Sequence, residues 1–379
     1  MNYKNFYFIL GNIYNNSFPT FLIIFFAFLG YAEKSANLAI ATSSTILFTQ
    51  IFSGNMRNII IASNDVILIN KVRQFRFLIS TIVILISVLV FYLIAKEINL
   101  LILSTIFLII INWINEINIV EQELENKENK ITIFFYINLF FSIFIIFLIY
   151  IKSIELIFLL LIFQSIFNFF LFFKKENVLI RNFDLLMKNF YEIKKYSYAF
   201  YSSFSMIFAN FVSRSLIFLS LDKNIAGILF ASFAIGSFPG TVFNNTFGPF
   251  LIKNKIKIPI LLKLFFLFIF IILIFFILIS SQLNINYSKD NEILYFTSLI
   301  SLLASFFMVY SLYIRQDSLQ NFFNNQNYIF KFDILLNLTL ILLTIFIIYT
   351  NEIILYYFLL LIFSIISMII YKIMILKLK

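Results

Sequence analysis

The chain contains no cysteine and no histidine. Disulfides, thiol nucleophiles, haem ligation, His-based zinc sites and imidazole proton relays are therefore excluded. Any proton-coupling group has to be a carboxylate or, failing that, a lysine or tyrosine. Charge is also scarce: 12% of residues are Asp, Glu, Lys or Arg, against 62% hydrophobic. The mean hydropathy is +1.00. Alternating ten-residue strands of the outer-membrane-barrel kind are missing, as is any loop outside the apolar segments long enough to form a domain. What function there is must be carried by the apolar helices and their ends.

What is present is a succession of apolar segments, each of about 18 to 25 residues and able to cross roughly 30 Å of hydrocarbon as a helix. They predict spans over 7–29, 36–56, 77–95, 98–119, 131–151, 153–173, 196–220, 225–252, 260–281, 292–314, 334–350 and 352–372. The fold class expected is an all-α polytopic membrane protein of about twelve transmembrane helices in two six-helix bundles. Residues 1–173 form one lobe and 196–379 the other. Between them lies a basic stretch, 174–195, read either as a solvated linker or as an interfacial helix on anionic lipid.

The net charge of +10 needs no nucleic acid to explain it. Twelve spans put both termini on one side, and of the 28 Lys and Arg residues 22 fall on that side and 5 on the other. The positive-inside rule makes that side, with both termini, cytoplasmic. Arg214 is the remainder, inside the apolar stretch 196–221. Insertion scales put a charge at membrane depth at roughly 2.5–3.5 kcal/mol, so such a residue faces a partner, a cavity or a substrate.

Polar groups recur within the predicted helices. On the first, Asn12, Asn15, Asn16 and Pro19 share one face, and the proline offers a hinge. On the second, Gln50, Gly54 and Arg57 align, flanked by Asn55 and Asn58; Arg57 is either an interfacial anchor or an anion-binding group. On the fourth, Asn112, Asn115 and Glu116 cluster. Glu116 is the candidate carboxylate for binding a proton or cation or for pairing with an arginine, with an interfacial, snorkelling glutamate as the alternative. On the seventh, Ser203, Met206, Asn210 and Arg214 form a stripe. The eighth places Gly236, Gly240, Asn244 and Gly248 at every fourth residue beside Pro239 and Asn245, a pattern for close packing or bending. Phe, Ile, Asn and Lys have AT-rich codons, so an AT-rich genome accounts for part of their abundance.

The six-plus-six layout, the polar opening helix with its proline, and IFSGNMRNIII at the end of the second span resemble Wzx-type polysaccharide flippases. Those belong to the multidrug/oligosaccharidyl-lipid/polysaccharide exporter superfamily. The resemblance implies two six-helix lobes around a cationic cavity in the bacterial inner membrane. There an undecaprenyl-pyrophosphate-linked oligosaccharide passes from the cytoplasmic to the periplasmic leaflet by alternating access. Arg57 and Arg214 would hold the pyrophosphate; Asn15, Asn16, Gln50, Asn55, Asn210, Asn244 and Asn245 would meet the sugar. Pro19, Gly236, Pro239 and Gly240 would bend. No bound cofactor or metal is expected, but coupling to a proton or sodium gradient is, with Glu116 as its candidate. Membrane lipids and glycan polymerase machinery are the expected partners. Two other classes stay open: an ion-coupled multidrug or metabolite exporter of the same fold and, more distantly, a membrane glycan polymerase. The polymerase would need a sizeable catalytic loop, which is missing.

Overall fold

A computed structural model describes residues 3–53, 56–63, 66–125, 127–173, 197–243, 263, 266–274, 289–321 and 326–378. The described residues are helical, joined by short turns. In chain order the helices are α1 (Tyr3–Phe28), α2 (Ala32–Ser53), α3 (Met56–Ser63), α4 (Val66–Ala95), α5 (Leu100–Leu124), α6 (Asn129–Tyr150), α7 (Ile157–Phe172), α8 (Ser197–Ser220), α9 (Lys223–Val242), α10 (Lys289–Asn321), α11 (Gln326–Thr350) and α12 (Ile353–Leu378). Residues 266–274 are helical as well.

Nine of these helices are long and apolar enough to cross a membrane: α4 to α12. The chain is an all-α polytopic membrane protein. α1 and α2 occupy the first two expected spans, but Asn12, Asn15, Asn16 and Ser17 in one, and Glu33, Lys34, Asn37 and a run of Ser and Thr in the other, lower their hydropathy. Most of the expected span 260–281 and the whole stretch 174–195 lie outside the described residues. One boundary differs by a wide margin. α4 begins at Val66 rather than near 77, so Lys71, Arg73 and Arg76 are helical residues and not loop residues.

The chain divides into two compact units. The first comprises Met1–Pro19 and Ile40–Ile207, the second Thr20–Ala39 and Phe208–Lys379. In the first unit α5 is the hub, packing on α3, α4, α6 and α7. Its buried face includes Leu101, Ile106, Ile110, Trp113 and Ile117, while α6 turns Tyr136, Phe140, Ile143 and Phe147 outward. For a membrane protein these exposed apolar side chains are the lipid-facing surface. In the second unit α9, α10 and α12 form the packed centre, with α11 against α12.

Close approach in the second unit depends on two glycines and a set of hydroxyls. A Cβ on Gly236 would overlap the carbonyl of Ser301 on α10 and the side chain of Leu360. Beside it Ser305 Oγ donates to the Gly236 carbonyl at 2.6 Å, and Ser232 and Thr297 hydroxyls lie 2.6 Å apart. Such small-residue seams join helices where lipid supplies no hydrophobic drive. Gly227 at the start of α9 meets the backbone of Ala32 just as tightly. There Ser35 Oγ donates to the Ile23 carbonyl at 2.7 Å and also reaches the Gly227 carbonyl at 3.4 Å.

Helix ends are closed by tight turns. α1 stops at a Schellman turn in which Gly30, at φ +87°, is left-handed; Tyr31 N–H donates to the Phe26 carbonyl and Gly30 N–H to that of Ala27. The same turn after α6 places Lys152 at φ +63°, and Lys96 and Asn351 follow α4 and α11 at φ +59° and +55°.

Candidate functional site

The first unit gathers six opposite charges where α3 and α4 pass the C-terminal half of α5. Arg57 Nη2 lies 3.2 Å from Glu123, Arg73 Nη2 2.6 Å from Glu121, and Arg76 Nη1 2.8 Å from Glu116. Arg73 and Arg76 are the largest fully buried side chains among the described residues. Each arginine has further ties. Arg73 donates to Asn70 Oδ1 at 2.9 Å; Arg76 donates to the Trp113 carbonyl and lies 4.9 Å from the Trp113 ring centre. Glu116 and Glu123, seven residues apart, share one face of α5 and Glu121 is turned away from it, and the three take arginines from two helices. Burial makes a counter-charge obligatory for each arginine, because an uncompensated buried charge costs about 3–5 kcal/mol.

Amides continue inward from these charges. Asn118 Nδ2 reaches Asn115 Oδ1 at 3.4 Å, and Asn115 Nδ2 donates to the Asn168 carbonyl on α7 at 2.9 Å. Asn168 Nδ2 donates to Asn138 Oδ1 on α6 at 2.9 Å, which also accepts from Gln164 Nε2 at 2.7 Å. Tyr14 on α1 completes the network, its hydroxyl donating to the Asn138 carbonyl at 2.7 Å and meeting Ser142 Oγ. These side chains are buried, and without their mutual bonds they would not be tolerated in hydrocarbon.

The second unit has a buried charged group of its own. Arg315 on α10 holds Asp333 on α11 through two nitrogens, Nε at 2.9 Å and Nη2 at 2.7 Å, and Tyr371 on α12 donates to the same carboxylate at 2.6 Å. Tyr371 also belongs to an apolar cluster with Ile314, Ile329, Leu336 and Met374, against which Tyr310, Tyr313, Tyr328 and Phe332 pack. Arg214 contrasts with all of these. It sits on α8 about 9 Å before the helix ends at Ser220, and among the described residues it makes no ion pair and no hydrogen bond. Ala209, Ser213 and Ile217 are the buried face of α8; Asn210 is exposed and Arg214 half-buried on the open side.

The residues singled out from the sequence are distributed as follows. Arg57 is buried and paired with Glu123, and Glu116 is paired with Arg76. Asn15 is buried and donates to the Asn112 carbonyl at 3.2 Å, Asn16 is half-buried, and Gln50 is half-buried with its Oε1 unpartnered. Pro19 is buried within an unbroken α1, Pro239 is buried within α9, and Gly236 and Gly240 face Ser301 and Met308 of α10. Asn55, Asn244 and Asn245 lie outside the described residues. Arg57 and Arg214 belong to different units. Sequence reasoning missed Tyr14, Asn138, Gln164 and Asn168, and the Arg315–Asp333–Tyr371 group. A signal was present for the amides: Gln164 and Asn168 stand four apart in an otherwise almost wholly apolar helix, which places both on one face.

No family model matches the chain, and no curated protein sequence matches it. Among solved structures it is similar to one described as lipid II flippase MurJ in an inward closed conformation. The identity is 14%, with a TM-score of 0.49 over 98% of this chain and 86% of that one. A likeness at that level carries no argument about function.

Proposed function

We propose that the chain is a flippase that moves an undecaprenyl-pyrophosphate-linked oligosaccharide from the cytoplasmic to the periplasmic leaflet. The observation that carries this is Arg214. Arg57, Arg73, Arg76 and Arg315 each face a carboxylate, whereas Arg214 sits in a membrane helix on a face that the described residues leave open, beside exposed Asn210. A guanidinium held against lipid tails would cost roughly 2.5–3.5 kcal/mol, and a polar space on that face removes the cost. A guanidinium that no described residue pairs, with the Asn210 amide one turn before it, suits a ligand that is anionic and hydroxyl-rich. Pyrophosphate on a glycolipid is such a ligand, and its isoprenyl tail can remain in the bilayer. The sequence resemblance to Wzx-type flippases points to the same substrate class. Coupling to a proton or sodium gradient and a cytoplasmic position for both termini belong to this reading.

The test is surface glycan in a deletion strain complemented with the wild-type chain or with Arg214→Ala at matched membrane abundance. Loss of the glycan on deletion, accumulation of the lipid-linked intermediate inside, and failure of Arg214→Ala to restore it are expected. Unchanged surface glycan in a strain with no second flippase would overturn the reading in favour of an exporter. Full rescue by Arg214→Ala would make that arginine structural.

A further inference from the structure

We propose that Glu123 is a resident counter-ion for Arg57 that a pyrophosphate group displaces, so that the protein's own carboxylate sets the threshold for which anions are accepted. This rests on the flippase reading above and extends it from Arg214 to the first unit. The three ion pairs around α5 are not equivalent. Arg73–Glu121 is the shortest at 2.6 Å and almost fully enclosed, with side-chain exposures of 2% and 9%. Arg76 is fixed by Glu116, by the Trp113 carbonyl and by the Trp113 ring. Arg57–Glu123 is the longest at 3.2 Å, and Glu123 is the most exposed of the three carboxylates, at 23%. Arg57 itself is 5% exposed and sits on α3, a helix of only eight residues.

A buried arginine cannot be left without a counter-charge when no substrate is present. A carboxylate on a neighbouring helix meets that need, but it also competes with any incoming anion. The tethered carboxylate brings one negative charge, whereas a pyrophosphate brings more charge and several oxygens to the guanidinium fork. A phospholipid headgroup with one phosphodiester charge gains little by the exchange. The half-exposed glutamate thus acts as a selectivity filter, and the exchange leaves Arg57 compensated before and after.

The experiment uses the purified full-length chain in nanodiscs and isothermal titration with farnesyl pyrophosphate. Inorganic pyrophosphate is run in parallel, separating recognition of the headgroup from recognition of the chain. Glu123→Gln is expected to bind farnesyl pyrophosphate about tenfold more tightly than wild type, the equivalent of losing one modest competing ion pair. Adding Arg57→Gln should abolish that gain. Should Glu123→Gln fail to fold, Glu123→Asp keeps the charge but draws it back from Arg57, and should give a smaller gain in the same direction. Equal or weaker binding by a folded Glu123 variant overturns the inference. If wild type binds and Arg214→Ala does not, the flippase reading survives that outcome. If neither wild type nor any variant binds either probe, that reading falls and this inference with it.

Discussion

Glu121→Gln would leave Arg73 charged, 2% exposed and without its carboxylate. The expected cost is about 3–5 kcal/mol, read as a lower midpoint of SDS-induced unfolding in mixed micelles. Exchanging both members of the pair for apolar residues of similar volume should recover most of that loss, because the desolvation penalty disappears along with the attraction. Arg214→Leu should behave in the opposite way. No described residue answers Arg214, so the variant should unfold no earlier than wild type while losing glycolipid translocation in reconstituted vesicles. Parallel loss of stability and transport in Arg214→Leu would mean that Arg214 holds the fold. The contrast between the two arginines rests on their surroundings, since both are arginines in apolar helices.

At the scale of the element, Lys152→Gly is expected to stabilise. A non-glycine residue in the left-handed region costs roughly 1–2 kcal/mol relative to its preferred conformation, and Lys152 sits there at φ +63° as the closing residue of a Schellman turn. A gain of about 1 kcal/mol in the same unfolding assay is the expected outcome; no gain would show that the lysine side chain repays the strain. Gly236→Val should do the reverse, since its side chain would have to enter the Ser301 backbone on α10; poor recovery from membranes is the readout. How much of this was legible in the sequence follows from range. The spans from α4 to α12 were readable because hydropathy is a local sum. The early start of α4 was not, because Arg73 and Arg76 read as loop charges until Glu121 and Glu116, 48 and 40 residues away, are set against them. Asn15 and Glu116 were marked as polar groups within helices, but the partners they take could not be read from periodicity, which says which side chains share a face and nothing about what that face meets.

For the molecule as a whole, the division into two compact units runs through helices and not between them. It falls at Pro19–Thr20 in α1, at Ala39–Ile40 in α2 and at Ile207–Phe208 in α8. Proline removes one backbone donor from the helical ladder, so α1 is softest just where its allegiance changes. Pro19→Ala should therefore slow glycolipid translocation severalfold while unfolding no earlier than wild type; an unchanged rate would remove the hinge role. The charge distribution also bears on how the chain is made. Arg57, Arg73 and Arg76 precede their glutamates by 66, 48 and 40 residues, so at synthesis rates of about 5–20 residues per second they wait roughly 2–13 s for neutralisation. During that interval α3 and the start of α4 cannot settle at their final depth, and they must remain at the membrane surface or within the insertion machinery until α5 emerges. Biogenesis of this protein is then timed by α5, and a force-sensing arrest peptide placed downstream should register a delayed second pull when Glu116, Glu121 and Glu123 enter the bilayer.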